Sequence, residues 1–191
     1  MTKTASGLAW RIDRAIGVVI DGAGAATAWI GLALVLVVAG NVLLRYVFNT
    51  GTVALQELEW HLVAPIALFG MAYGIRKGAH VRVDFLYDRL PERARLVIDL
   101  IAALLMVGVA AVIVLLAIPY VQQSIELMEA SPDPGGLPYR WVLKAIIPAG
   151  FFCFGLQAVS QALQCGLALA RLEPVAVERG PSRMAEAAAA S

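Results

Sequence analysis

Arg76-Lys77-Gly78-Ala79-His80-Val81-Arg82-Val83-Asp84 is a basic segment set between two long apolar runs, and its position decides the fold. Its flanks are too apolar for water, and a cluster of cations in such a place orients a chain in a membrane. Of 191 residues, 60% are hydrophobic and 15% charged, with a mean hydropathy of +0.77. Ordinary soluble domains do not reach these values, so the sequence describes an integral membrane protein.

Working outward from that segment, runs long enough to cross a bilayer core of about 30 Å occur four times. They extend from Ala23 to Leu44, Leu58 to Ile75, Leu96 to Ile118 and Leu143 to Ala170. The expected fold is an all-α membrane protein with four transmembrane helices. Three divisions follow: an N-terminal interfacial segment over 1–22, a four-helix domain over 23–170, and a tail over 171–191 expected to be poorly ordered. Between the spans the 15 Lys and Arg residues divide by side, twelve against three. The larger group comprises Lys3, Arg11, Arg14, Arg76, Lys77, Arg82, Arg89, Arg93, Arg95, Arg171, Arg179 and Arg183; the smaller is Arg45, Arg140 and Lys144. By the positive-inside rule both termini and the middle loop are cytoplasmic. The net charge of +1 follows this topology and implies no nucleic-acid partner.

Leu8, Ile12, Ile16 and Val19 recur at helical spacing, with Arg11, Arg14 and Asp21 off the stripe. This pattern fits an amphipathic helix along the cytoplasmic membrane surface, and it also fits an extension of the first span. The N-terminus reads as an uncleaved signal anchor. On the outer side, Pro119 to Met128 carries the third helix beyond the bilayer, and Ser131-Pro132-Asp133-Pro134-Gly135-Gly136-Leu137-Pro138 makes a compact turn. Pro148 predicts a kink near the outer end of the fourth helix. Cys153 and Cys165 lie about 18 Å of helical rise apart in one span and cannot bridge.

The polar residues gather at span ends. Asn41 and Arg45 close the first helix, and Glu57, Glu59 and His61 open the second, so Arg45 is placed to pair with Glu57 or Glu59. Three readings stand together: charges that set depth, bracing of neighbouring helix ends, and contact with another subunit. On the cytoplasmic side Arg76 precedes an alternating stretch in which His80, Arg82 and Asp84 share one face, which fits an orientation signal or a docking edge. No carboxylate, Lys or Arg lies at mid-span, so a carrier that couples ions by itself is disfavoured. His61 and His80 lie on opposite sides and cannot share a haem iron. No metal cluster, phosphate loop or nucleophile motif occurs, so neither a cofactor nor an enzyme is expected. Small residues at Gly31, Ala33, Ala39 and Gly40, and at Ala103, Gly108, Ala110 and Ala111, permit close packing within this bundle or against a larger partner.

The run Asn41-Val42-Leu43-Leu44-Arg45-Tyr46-Val47-Phe48-Asn49, an acidic start to the second helix, and Gly78-Ala79-His80-Val81-Arg82-Val83-Asp84 together resemble the small membrane subunit, of DctQ type, of tripartite ATP-independent periplasmic (TRAP) transporters. The similarity extends from Ile12 to Leu169. Many members open the second helix with Trp before paired glutamates, whereas this chain has Gln56-Glu57-Leu58-Glu59-Trp60. That variant, with Ser131 to Trp141, is similar to the branch labelled for 2-oxo acids, mannitol or chloroaromatic compounds. The resemblance implies a bacterial inner-membrane complex. In it a periplasmic binding protein delivers an organic acid to a large membrane subunit that carries the substrate and sodium sites, while the small subunit braces the scaffold. The rivals are a self-sufficient four-helix transporter and a tetraspan assembly protein without transport duty.

Overall fold

A computed structural model describes residues 2–79 and 89–170. Four helices account for nearly all of them: α1 (Thr2–Val47), α2 (Val53–Arg76), α3 (Glu92–Glu126) and α4 (Trp141–Leu169). Each is long and apolar enough to cross a membrane. In hydrocarbon a backbone must satisfy its own donors and acceptors, and uninterrupted Ala, Leu, Ile and Val runs do this as helix. Pro65, Pro119 and Pro148 lie inside α2, α3 and α4, which continue through them.

The helices stop where the backbone turns left-handed. At the end of α2, Gly78 (φ 66°) donates to Ile75 O at 3.0 Å and Ala79 N donates to Gly74 O at 2.9 Å. This paired pattern closes a helix on a residue without a Cβ. α3 closes by the same two bonds, Met128 N to Ile125 O and Glu129 N to Ser124 O, with Met128 (φ 46°) in the glycine-like position. A side chain there is unfavourable, so the loop beyond must hold it.

α1 packs along α2, α3 along α4, and α4 joins the two pairs. The α3–α4 seam rests on Ala103, Ala110, Ala117 and Ser124, all buried and spaced by seven, which keeps one stripe facing its neighbour. Small side chains let backbones approach where no hydrophobic effect drives helices together. Opposite them, a Cβ on Gly155 would lie 3.1 Å from Ala110 Cβ. Gly150 has the same role toward α2, where a Cβ would overlap Leu68. The core joins Ile16 and Ile20 of α1, Ala72 of α2, Ala110 of α3 and Phe154 of α4.

Two expectations change. The segment over 1–22 is no separate surface helix: α1 runs unbroken from Thr2 to Val47, about 70 Å, and Ile16 and Ile20 are buried in the bundle. Of the apolar stripe Ile16 is buried, together with Ile20, against α2 and α4, while Ile12 and Val19 stay exposed. Two of the small residues of the first span, Gly31 and Gly40, also meet no neighbour inside the chain, with only open space where a Cβ would stand. The same holds for Gly108 of α3, and Ala111 is exposed, whereas Ala103 and Ala110 are buried against α4. The expected tail lies outside the described residues.

Candidate functional site

Polar side chains form two belts, one at each end of the bundle. At the end that carries the N-terminus, Asp21 of α1 accepts a hydrogen bond from Arg76 Nε of α2 at 3.1 Å, and Lys77 Nζ lies 3.3 Å from its other oxygen. One turn earlier, Gly17 leaves the room that the Arg76 guanidinium fills. Gly24 does the same for the Tyr73 ring, over which Lys77 Nζ stands at 5.4 Å. On the opposite flank of α1, Asp13 accepts from Ser160 Oγ and, at 2.7 Å, from Gln164 Nε2 of α4. Gln157, 5% exposed, continues this polar stripe, with Oε1 lacking a hydrogen-bond partner among the described residues.

At the hairpin end, Asn41 Nδ2 of α1 donates to Glu59 Oε1 of α2 at 2.8 Å. Glu57 turns toward the α3–α4 loop, where it accepts from Ser131 Oγ and, at 2.5 Å, from the Leu137 amide. His61 Nδ1 lies 2.7 Å from Glu57 O; a carbonyl only accepts, so this nitrogen carries the proton. In the same loop Glu129 accepts from Ser124 Oγ at 2.7 Å and from Lys144 Nζ, which also stands 4.0 Å over the Tyr120 ring. The Lys144 bond, followed by the Ser124 bond, holds the Glu129 carboxyl below its ordinary range. Each belt ties together helices that are distant in sequence.

The residues singled out from sequence divide accordingly. Asn41 and Glu59 meet, and Glu57 and His61 share one turn of α2, but Arg45 does not reach either glutamate. It is exposed and makes no ion pair among the described residues, because Asn41 and the α3–α4 loop already occupy the two carboxylates. Arg76, expected at a docking edge, is turned inward onto Asp21. His80, Arg82 and Asp84 lie outside the described residues. Asp13, Asp21, Glu129, Lys144, Ser124 and Ser160 were not singled out. Asp13, Asp21 and Ser160 have partners on other helices, where no local spacing could mark them, and Glu129 of the α3–α4 loop joins Ser124 to Lys144. No group of three or more His, Cys, Asp or Glu side chains suited to a metal occurs among the described residues. The arrangement can clamp helix ends, and it offers no reacting group a substrate pocket.

Comparison with known proteins supplies the family. A stretch of 85 residues is 36% identical to the sialic acid TRAP transporter small permease protein SiaQ of Vibrio cholerae serotype O1, covering 44% of this chain and 49% of that protein. The match thus spans about half the length of the curated relative. Residues 34–166, more than half of the chain, match the family described as tripartite ATP-independent periplasmic transporters, DctQ component. That segment contains the hairpin-end belt, the α3–α4 seam and most of α4. A multi-pass membrane chain with two structural belts and a family match of this extent is a transporter component rather than an enzyme; it belongs to the DctQ, or small permease, family of TRAP transporters.

Proposed function

We propose that this subunit is a static brace: it supports a large membrane subunit that carries out sodium-coupled uptake of an organic acid delivered by a periplasmic binding protein. One observation carries this reading. Each helix has a long stretch without Asp, Glu, Lys or Arg, over 22–44, 62–75, 100–125 and 145–169, and the charged side chains of the helices lie outside these stretches. Ion coupling across a bilayer normally places an ionisable group or a broken helix near the midplane, and all four helices are continuous. Between 22 and 47, moreover, no residue of α1 is buried, and Trp29, Leu32, Leu36 and Leu43 are exposed. Such a face is covered by lipid or by a partner.

The division of basic residues, twelve against three, supports an inner-membrane orientation with both termini cytoplasmic. The hairpin-end belt then faces the periplasm, where the binding protein arrives. The transported compound is a carboxylate, in keeping with the relative whose name specifies sialic acid. Within that class a 2-oxo acid or related carboxylate is favoured by the branch that the variant Gln56-Glu57-Leu58-Glu59-Trp60 and the Ser131–Trp141 loop resemble. The test is purification of the tagged chain at native expression level in mild detergent, together with uptake measurements in its absence. A stoichiometric polytopic partner and lost uptake are expected. Recovery of the chain alone, with transport unaffected, favours a tetraspan assembly protein.

A further inference from the structure

Arg14 stands with its guanidinium carbon 5.3 Å from the centroid of the Trp10 ring. With Arg11, Ala15 and Val18, these residues line an open groove of about 340 Å³ on the outside of α1. The rotation of this face is fixed from behind. Asp13 is hydrogen-bonded to α4, and Ile16, Gly17 and Ile20 are buried. Trp10, Arg14 and Val18, four residues apart, are thereby stacked along the outward side. Trp10 is 60% and Val18 70% exposed, and both arginines are exposed. Asp21 and Glu129 are taken by Arg76, Lys77 and Lys144, and among the described residues no ion pair reaches Arg11 or Arg14.

Depth along the bilayer follows from the belts. Asp21 with Arg76 and Asn41 with Glu59 mark two levels separated by 20 residues of α1, about 30 Å, the thickness of a hydrocarbon core. Arg14 lies seven residues beyond Asp21, about 10 Å of rise, and its long side chain can return to the headgroup layer. Val18 lies nearer the core, and Trp10 supplies an amphipathic ring of the kind enriched at the interface.

We propose that this groove binds an anionic phospholipid, with the Arg11 and Arg14 guanidiniums on the headgroup phosphate and Val18 along the start of an acyl chain. Paired guanidiniums suit a phosphate through charge-assisted hydrogen bonds. The apolar wall that continues from Arg14 to Val18 favours a lipid, because a free phosphate would leave it uncovered.

The experiment is native mass spectrometry of the delipidated full-length protein with its co-purifying partners, titrated with phosphatidylglycerol, phosphatidylcholine or inorganic phosphate. Phosphatidylglycerol is expected to bind in preference to phosphatidylcholine, and inorganic phosphate at equal concentration is expected not to displace it. R11Q/R14Q should weaken phosphatidylglycerol on the order of tenfold, since each basic residue near an anionic surface contributes measurably. R11K/R14K should recover most of the binding, and R93Q, an exposed arginine at the same end, should leave it unchanged. Equal binding by wild type and R11Q/R14Q overturns the proposal. So does equal affinity for the two lipids, a lysine variant no better than glutamine, or displacement by inorganic phosphate, which would make the groove a soluble-anion site.

Discussion

Glu57 and Leu137 are 80 positions apart, yet Glu57 Oε2 accepts the Leu137 amide hydrogen at 2.5 Å. The same carboxylate accepts from Ser131 Oγ, and Ser131 N donates to Leu137 O at 3.1 Å. A single side chain of α2 therefore closes the α3–α4 loop from both sides. Left-handed residues flank that closure at Met128 (φ 46°) and Tyr139 (φ 64°), conformations a free loop would abandon. The carboxylate and the loop depend on one another.

Glu57→Ala should therefore release the loop while leaving the four helices formed. Limited proteolysis between Ser131 and Leu137 is expected to accelerate several-fold, with little change in helical circular dichroism. Glu57→Gln should lie between, because its one carbonyl oxygen can still accept from Leu137. Equal protease resistance in all three proteins would show that the turn residues hold the loop unaided.

How much of this was legible in the sequence depends on the range of the interaction. The four helices were, because each needs only its own charge-free length, and their observed ends lie within about ten residues of the expected spans apart from the N-terminal extension of α1. The stop over Ser131 to Pro138 was legible too, from its prolines and glycines. The pairing of Asp13 with Ser160, 147 positions apart, was not, because a lone Asp on an amphipathic stripe looks like an exposed charge. The pairing of Arg76 with Asp21 was hidden for a related reason: an arginine at a helix end usually points to the interface, and Gly17 across the α1–α2 contact makes room for it. Small residues gave a mixed signal. Ala103 and Ala110 pack inside the chain, while Gly31 and Gly40 have the same composition and no neighbour.

Glu129 sets a pH dependence. Lys144 and Ser124 lower its carboxyl pKa below the ordinary value of 4.5 in the folded state. The folded protein then binds fewer protons than the unfolded chain in that range, so this group's contribution is full above the unfolded value and lost as pH falls through the folded one. Thermal unfolding in detergent should thus be insensitive to this group from pH 7 to 5 and should decline below about 4.5. Glu129→Gln should lower the melting temperature near neutrality and flatten the acid limb. An acid limb as steep as that of wild type would assign it to other carboxylates.

Glycine position separates packing inside the chain from packing against a partner. At Gly150 an added Cβ overlaps Leu68 Cβ, close to the backbone of α2, so Gly150→Ala must push α2 and α4 apart. Overpacking of this kind costs about 1–3 kcal/mol, read as a lower melting temperature of the isolated subunit. Gly31→Leu and Gly40→Leu meet open space and should leave that temperature unchanged. If the uncovered face of α1 meets the large subunit, these two substitutions should instead reduce its co-purification. Loss of co-purification with Gly150→Ala alone would direct attention away from this face.

Orientation can be read from one pair of labels. In a background with Cys153 and Cys165 replaced, Gly135→Cys places a thiol in the exposed α3–α4 loop, and Ala79→Cys places one just beyond α2 at the opposite end. The basic excess, twelve residues against three, assigns the second of these to the cytoplasm. A membrane-impermeant maleimide added to intact cells with a permeabilised outer membrane should label Gly135→Cys and spare Ala79→Cys until the inner membrane is opened. The opposite pattern would invert the chain. It would place the Glu57-anchored loop on the cytoplasmic side, out of reach of a periplasmic binding protein, and move the Arg11 and Arg14 groove to the outer leaflet.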